Sequence, residues 1–264
     1  MVIFIDVGNT NTTFAVNKGG DCYRSWDIPT KLIASVENFR RKLLSAARKA
    51  GVDACLVRAV VICSVVPKAE PQLKKNIKSV FPAAKEYMFG KDIPVPIKNK
   101  YHYPQQVGSD RLANALGVRY CYSCPALVVD AGTAITIDVI SAKAEYLGGI
   151  IAPGIGMSLS GLHEKTALLP KLTAGRPSDI LGKDTRASML SGVFYGFSFM
   201  IDGLVKSLKN RLKGKIVVVG TGGMIDYLQD FCKEIDVYDP FLTIKGIEIA
   251  CKLAKNKEKQ QSYP

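Results

Sequence analysis

The stretch that decides the fold is VIFIDVGNTNTTF at residues 2–14. An apolar run that ends in Asp-x-Gly-Asn-Thr and then resumes predicts a strand, a tight turn and a return strand. The same pattern recurs as VVDAGT at residues 128–133, followed by a second apolar run at residues 136–140. The two copies lie about 124 residues apart, so the repeat is domain-sized and predicts two lobes of similar topology.

Length and composition indicate an ordinary folded chain with room for two domains. The 264 residues are 47% hydrophobic and 22% charged, which excludes disorder for most of the sequence. We assign residues 1–117 to an N-terminal lobe and residues 118–264 to a C-terminal lobe. The N-terminus lacks the basic region of a secretory signal, and the longest uncharged stretch is too short to span a bilayer. We therefore expect a cytoplasmic protein without a membrane partner.

Cysteine spacing and charge distribution argue against two other classes of site. The seven cysteines are spread along the chain, and the Cys121-x-x-Cys124 motif has no second pair, so we expect reduced thiols and no zinc finger. The net charge is +13, but the basic residues form no stripe interleaved with aromatics, so we expect no nucleic-acid partner. The lysines at positions 252, 255, 257 and 259 are interpreted as a solvated face and a frayed end.

Hydrophobic periodicity and turn residues predict the remaining elements. Helices are expected over residues 36–51, 71–81, 110–122 and 184–209, and buried strands over 59–66, 126–130, 136–140 and 216–219. Two prolines between residues 92 and 103 predict a loop or an edge strand. A glycine-rich loop is expected before the long helix, and a helix with a terminal strand–helix segment after the last strand.

The residues of the two predicted turns suit a nucleotide site. Glycine permits a tight turn whose amides and hydroxyls can face an anion, and Asp6 can hold Mg²⁺ directly or through water. An ordinary hairpin uses the same residue types, but a second copy with Asp130, Gly132 and Thr133 favours phosphate binding. The sequence at residues 220–223, Gly-Thr-Gly-Gly, offers a third nucleotide contact. Neither a Walker A motif nor a G-x-G-x-x-G at a strand-to-helix junction is present, which excludes P-loop and Rossmann sites.

The paired turns resemble those of the actin-like ATPase architecture, which sugar kinases and heat-shock ATPases share. The resemblance implies an α/β fold with two duplicated, ribonuclease H-like lobes. In that architecture, mixed sheets are flanked by helices and the nucleotide cleft lies between the lobes.

Four motifs together are similar to those of the type III pantothenate kinases. They are residues 6–12, residues 108–111 (Gly-Ser-Asp-Arg), residues 130–133, and Gly148-Gly149 followed by Pro153-Gly154. Their order and spacing match from residue 6 to at least Thr185. The resemblance implies transfer of the ATP γ-phosphoryl group to the 4′-hydroxyl of pantothenate, the first step of coenzyme A synthesis. It also implies Mg²⁺, a monovalent cation (K⁺ or NH₄⁺), and a homodimer whose subunits share the active site.

The resemblance implies a role for each matching residue. Asp110 would accept the hydroxyl proton, Asp130 would bind the monovalent cation, and Asp6 would hold Mg²⁺. The ATP contacts would be Asp6, Val7, Gly8, Asn9, Thr10, Asn11, Thr12, Thr13 and Thr133. The pantothenate contacts would be Tyr101, Gly108, Ser109, Asp110, Arg111 and Thr185.

Elementary chemistry agrees with these roles. Phosphoryl transfer to an alcohol needs positioning, charge neutralisation and one proton acceptor, and the Arg111 guanidinium can pair with a carboxylate. Tyr103, Gln106 and Ala131 depart from the family pattern and bear on the shape of the substrate pocket. Two alternatives stay open: another small-molecule kinase or phosphohydrolase of the superfamily, and a transcriptional accessory factor. The family also carries the name Bvg accessory factor, but no helix-turn-helix with a basic recognition helix is found.

Overall fold

The computed structural model describes residues 1–261, with side chains to residue 256, and the chain forms two compact units. The first unit comprises Met1–Ile97, Tyr103–Tyr120 and the chain from Phe241 onward. The second comprises Lys98–His102 and Cys121–Pro240. Each unit contains one sheet with flanking helices, which confirms the predicted α/β class.

The elements are named in chain order. The strands are β1 (Val2–Val7), β2 (Asn11–Asn17), β3 (Tyr23–Pro29), β4 (Ala59–Ser64), β5 (Lys85–Met88), β6 (Lys98–Asn99), β7 (Ala126–Ala131), β8 (Ala134–Ile140), β9 (Glu145–Pro153), β10 (Val217–Thr221) and β11 (Val237–Tyr238). The helices are α1 (Val36–Lys49), α2 (Glu70–Val80), α3 (Ser109–Cys121), α4 (Ile155–Glu164), α5 (Thr185–Arg211), α6 (Ile225–Leu228) and α7 (Leu242–Gln261).

The first unit is built on a five-stranded sheet in the order β3-β2-β1-β4-β5. Strands β1 to β3 are antiparallel, and β4 lies parallel to β1. Ile3 and Ile5 pack on one face with α1 and α2, while Phe4 packs on the other with Leu116 of α3 and Ile247 of α7. Because helices cover both faces, the central strands are apolar throughout rather than alternating.

The second unit repeats this topology. Its six-stranded sheet has the order β11-β10-β7-β8-β9-β6, with β7 to β9 antiparallel and β10 parallel to β7. Leu127 and Val129 pack against Phe194 and Ile201 of α5. The hairpin β7–β8 with its parallel neighbour β10 corresponds to β1–β2 with β4, so the domain-sized duplication predicted from the sequence is confirmed.

Two segments differ from the expectations. The predicted glycine-rich loop is instead β9 and α4, because its glycines lie within a strand that pairs along β8 and at the strand-to-helix turn. The segment from Phe241 belongs to the first unit, although we assigned residues 118–264 to the second lobe. Ile247 of α7 is fully buried in the first unit, and a Cβ at Gly246 would lie 1.9 Å from the Ala113 carbonyl oxygen. Neither contact leaves a local sequence signal.

Within the described part of the chain, α5 alone is long and apolar enough to cross a membrane by length and composition. Half of its apolar window, whose mean hydropathy is 1.4, is buried inside the protein. Core helices pass the same test, and Phe194, Ile201 and Val205 of α5 pack in the second unit's core. The side chains of Lys257 and Lys259, at the basic end of the sequence, lie outside the described residues.

Candidate active site

The first predicted phosphate turn joins β1 to β2. The Gly8 amide donates to the Asn11 carbonyl oxygen at 3.0 Å, which closes the turn. Thr30 supports it from outside, because its hydroxyl donates to the Gly8 carbonyl at 2.7 Å and its amide donates to the Thr10 carbonyl at 2.9 Å. The buried Thr12 hydroxyl lies 3.0 Å from the Thr30 hydroxyl and therefore donates to it. The Thr12 side chain thus holds the turn in place.

The tip of this turn is the part open to a ligand. Asn9, Thr10 and Asn11 are exposed, whereas Asp6 is half-buried at the end of β1. The Thr13 hydroxyl donates to the Asp27 carboxylate at 2.7 Å across the hairpin. The polar side chains among the predicted nucleotide contacts therefore include an exposed tip, Asn9 to Asn11, and two threonines, Thr12 and Thr13, whose hydroxyls bond within the protein.

Residues 108–111, called the acceptor motif below, lie at the start of α3 beside the end of β4. The Ser109 hydroxyl donates to the Ser64 carbonyl oxygen at 2.9 Å and accepts from the Cys63 thiol at 3.3 Å. A Cβ at Gly108 would lie 2.4 Å from the Asp110 Oδ1 atom, so glycine makes room for that carboxylate. The Ser109 side chain is thus used to anchor the helix to the sheet.

Cys63 marks the point where two of the predicted site carboxylates meet. Asp6 lies directly opposite Cys63 in the parallel register of β1 and β4. Burial raises the pKa of the Cys63 thiol, and the negative charges of Asp6 and Asp110 raise it further. Tertiary structure therefore brings Asp6 and Asp110, which are far apart in sequence, close to the same neutral thiol.

The Asp110 carboxylate has a pKa that differs from that of a surface aspartate. Burial raises its pKa, while the hydrogen bond from the Arg111 amide at 2.7 Å and the charge of Arg111 oppose the rise. The Arg111 side chain is itself buried. A carboxylate whose pKa is raised binds a proton more readily than an ordinary surface aspartate, which is what general-base catalysis requires.

The second phosphate turn repeats the closure of the first. The Gly132 amide donates to the Ala134 carbonyl at 3.0 Å, and the Gly154 amide donates to the Thr133 carbonyl at 3.1 Å. A Cβ at Gly154 would lie 2.2 Å from the Thr133 oxygen, so only glycine allows this approach. Thr133 is exposed at the tip of the turn.

Asp130 lies at the centre of a row of oxygen-bearing side chains in the second sheet. Its register partners are Thr221 on β10 and Thr136 on β8. A Cβ at Gly222 would lie 2.4 Å from the Asp130 Oδ1 atom, and Gly222 has a φ of +95° that favours glycine. The carboxylate therefore leans towards the end of β10.

Tyr101 packs in the second unit against the edge of its sheet. Its ring lies 6.4 Å from the Tyr146 ring, centroid to centroid, and 3.5 Å from the position of a Cβ at Gly148. The Tyr146 hydroxyl donates to the buried carboxylate of Asp138 at 2.8 Å. Tyr101 thus packs against Tyr146, which is itself hydrogen-bonded to Asp138 of β8.

Thr185 is the first residue of α5 and is exposed. The preceding residue, Asp184, caps the helix by accepting a hydrogen bond from the Ala187 amide at 2.8 Å. The cap fixes where the helix begins and so presents the Thr185 hydroxyl at a defined place.

Comparison with known proteins now identifies the family. The sequence model of the type III pantothenate kinases matches residues 2–207. The chain belongs to this family. It is 38% identical to the type III pantothenate kinase of Maricaulis maris, covering 96% of this chain and 98% of that protein. It is 35% identical to that of Halalkalibacterium halodurans, covering 96% and 99%. Type III pantothenate kinases are phosphotransferases with an alcohol acceptor, so the enzyme class expected from the sequence is confirmed.

Solved structures show the fold of this chain. One is a Baf family transcriptional activator from Campylobacter jejuni, with a TM-score of 0.59, 22% identity, and coverage of 96% of this chain and 99% of that one. Another is a 2-dehydro-3-deoxygalactonokinase protein from Sinorhizobium meliloti, with a TM-score of 0.57, 12% identity, and 96% of both chains covered. The predicted actin-like ATPase architecture is confirmed.

Several supporting residues of the candidate site were not anticipated from the sequence. Thr30, Cys63 and Tyr146 hold predicted site residues, yet each lies in a stretch that looks like ordinary strand or turn. Asp138 gives the one usable signal, because a carboxylate within an apolar strand must find a buried partner.

Proposed function

We propose that the chain transfers the γ-phosphoryl group of ATP to the 4′-hydroxyl of pantothenate, the first step of coenzyme A synthesis. The observation that carries the proposal is the placement of Asp6, at the first phosphate turn, and Asp110, in the acceptor motif, beside the same thiol. Relatives of the same family match this chain over almost its full length. They favour pantothenate over another alcohol and favour a kinase over a transcriptional accessory factor.

In this mechanism Asp110 accepts the proton of the attacking hydroxyl. Its pKa is raised by burial, which brings its basicity closer to working pH. Arg111 pairs with the pantothenate carboxylate, because a guanidinium offers two parallel donors to such a group. The two adjacent residues then orient the acceptor from both ends while the hydroxyl approaches the phosphorus in line.

Nucleotide contacts come from both turns. The exposed tip at Asn9, Thr10 and Asn11 and the hydroxyl of Thr133 would meet phosphate oxygens, together with the backbone of residues 6–8 and 12–13. Thr12 and Thr13 would act mainly by holding the hairpin, since their hydroxyls bond within the protein.

The cations fit the oxygen donors present. Asp6 offers a carboxylate at the phosphate turn, the ligand type that Mg²⁺ prefers, and the row at Asp130 offers a carboxylate between two threonines. Bound cations supply neutralisation of the charge on the transferred group. We place Mg²⁺ at Asp6, directly or through water, and K⁺ or NH₄⁺ at Asp130.

The acceptor pocket includes Tyr101, the backbone of Gly108 and Ser109, and Thr185. Ser109 contacts pantothenate through its backbone, because its hydroxyl anchors α3. We place Thr185 in the site of a partner subunit, which makes the working form a homodimer, and we place the enzyme in the cytoplasm.

The test is ATP-dependent phosphorylation of pantothenate by the purified chain with Mg²⁺, in parallel buffers containing K⁺ or only Na⁺. We expect phosphopantothenate with K⁺ and little with Na⁺. ATP consumption without phosphopantothenate would move the substrate to another alcohol. Absence of turnover together with salt-resistant, sequence-selective DNA binding would replace the kinase by a regulator.

A further inference from the structure

The hydroxyl of Thr221 is an unusual group in the second unit. It belongs to the last residue of β10, which is 1% exposed, and it has no hydrogen-bond partner among the described residues. Buried hydroxyls in folded proteins nearly always have such a partner. A buried donor and acceptor left unsatisfied destabilises the fold, so its retention points to a ligand that completes it.

The position of Thr221 indicates the charge of that ligand. Thr221 is paired with Asp130 in the parallel register of β10 and β7, so the two side chains project to the same face. This face is the one opposite the second unit's core, to which Val129 and Val218 point. The orphan hydroxyl therefore lies next to a carboxylate.

The Asp130 carboxylate also lies close to the backbone at the end of β10. A Cβ at Gly222, the residue after Thr221, would lie 2.4 Å from the Asp130 Oδ1 atom. Glycine at this point leaves room for the carboxylate over the end of β10. A nearby negative charge attracts a cation and repels an anion, so a phosphate is the poorer occupant.

We propose that Thr221 is an oxygen ligand of the monovalent cation placed at Asp130. The inference rests on the proposed function for the presence of that cation. A hydroxyl donates a lone pair to a hard cation without adding charge, and neutral oxygens are the ligands that replace the hydration shell of K⁺ in proteins. The β-branched side chain also restricts χ1, which limits the directions in which the oxygen can point.

The experiment measures cation affinity without any substrate. Thr221→Val keeps the shape of the side chain and removes its oxygen, and Thr221→Ser keeps the oxygen. Titration calorimetry with K⁺, supported by Tl⁺ binding followed by ²⁰⁵Tl NMR, would give the affinity of each variant. We expect Thr221→Val to weaken binding about tenfold and Thr221→Ser to bind like the wild type.

A second readout is the melting temperature of the ion-free protein. Because Thr221→Val removes an unsatisfied buried hydroxyl, we expect this temperature to rise. The matched control is Ser198→Ala in α5 of the same unit, whose buried hydroxyl donates to the Phe194 carbonyl at 2.8 Å. That control should lower the melting temperature and leave the K⁺ affinity unchanged.

Two results would overturn the inference. One is an unchanged K⁺ affinity in Thr221→Val, and the other is a fall in its ion-free melting temperature as large as that of the control. The failure of the proposed function looks different, because a wild-type chain that binds K⁺ but does not phosphorylate pantothenate leaves the cation ligand intact. A wild-type chain that binds no monovalent cation would overturn the ligand assignment together with the placement of K⁺ or NH₄⁺ at Asp130.

Discussion

At the scale of residues, the raised pKa of Asp110 in the first unit is accompanied by a set of groups that hold its carboxylate in place. Asp110 lies at the start of α3, Gly108 leaves room for its oxygen, and the Ser109 hydroxyl ties the helix to Ser64. Cys63 stays protonated because burial and two nearby carboxylates raise its pKa. The neutral thiol therefore donates its hydrogen bond to the Ser109 hydroxyl and adds no third charge beside the two carboxylates.

The replacement Asp110→Asn should lower kcat about 10²- to 10⁴-fold, which is the range that general-base catalysis contributes. Binding of ATP should survive, since the side chain volume is kept. Steady-state kinetics with pantothenate would measure the change, with Asp21→Asn, an exposed carboxylate of the same unit, as the control. A kcat within twofold of the wild type would remove Asp110 from the mechanism.

The same carboxylate predicts a pH dependence of stability. Because burial raises the pKa of Asp110 in the folded state, ionising it opposes folding. Its favourable contribution is complete below the ordinary aspartate pKa of about 3.9 and is lost as pH rises through the raised value. The melting temperature of Asp110→Asn, relative to that of the wild type, should therefore increase as pH rises from 4 towards 7. A melting-temperature difference between the two proteins that is constant with pH would contradict this prediction.

At the scale of elements, each phosphate turn depends on a close backbone approach. The turn at residues 132–133 is held by Gly154, where a Cβ would lie 2.2 Å from the Thr133 carbonyl oxygen. Two residues later, Gly156 has nothing within 4 Å of the same position. The two glycines of α4 and its N-cap thus form a natural pair for a test.

The replacement Gly154→Ala should displace the turn and destabilise the fold by about 1–3 kcal/mol, as overpacking does. We expect kcat/KM for ATP to fall with it. Gly156→Ala should keep activity and stabilise the fold by about 0.5–1 kcal/mol through helix propensity. Thermal unfolding and ATP kinetics would measure both. Equal effects from the two substitutions would show that the close approach is not needed.

The C-terminal helix α7 is tied to the first sheet by a buried carboxylate. Glu248 accepts hydrogen bonds from Tyr23 and from Asn17 at 2.9 Å, and Lys252 lies 2.8 Å away. Burial alone would raise the pKa of Glu248, but these contacts hold it below its usual value. The group therefore stabilises the folded state above the unfolded glutamate pKa, and this stabilisation is lost as pH falls through the lowered value.

We expect Tyr23→Phe to destabilise the protein by about 1 kcal/mol, because Glu248 keeps its other partners. Glu248→Ala should cost about 2–3 kcal/mol, because Asn17 and Tyr23 both lose their acceptor. Chemical denaturation at pH 7 would give the two values. Glu248→Ala should lose more unfolding free energy than Tyr23→Phe in buffers of any K⁺ content. A smaller loss for Glu248→Ala would contradict the role of Glu248 in holding α7 to the first sheet.

For the whole molecule, the proposed shared site makes a prediction about mixed dimers. Thr185 is exposed at the start of α5 and is proposed to act in the partner's site. Co-expression of Asp110→Asn and Thr185→Ala chains with different tags should therefore yield heterodimers with one intact site. Random pairing would restore about a quarter of wild-type activity. Activity no greater than that of the two variants purified separately would place Thr185 and Asp110 in the same chain's site.

Much of the candidate site could be predicted from local sequence, and the supports could not. The turns at Asp6 and Asp130 repeat one pattern of residue types, which is visible in the sequence. Thr30, Cys63 and Thr221 are ordinary strand or turn residues, and only the tertiary hydrogen bonds and the strand register show which site residue each one contacts. These contacts join residues far apart in the chain, which a local pattern does not encode.

The sequence by itself determined the duplicated α/β architecture, the two phosphate turns and the family, because these follow from short motifs and from hydrophobic periodicity. Tertiary structure alone decided that β9 and α4 replace a loop, that α7 returns to the first unit, and that Asp6 and Asp110 meet beside Cys63. The reason is physical. Local propensity acts over a few residues, whereas burial of a helix face and pairing of strands depend on partners outside that window, as the packing of Ile247 with Phe4 shows.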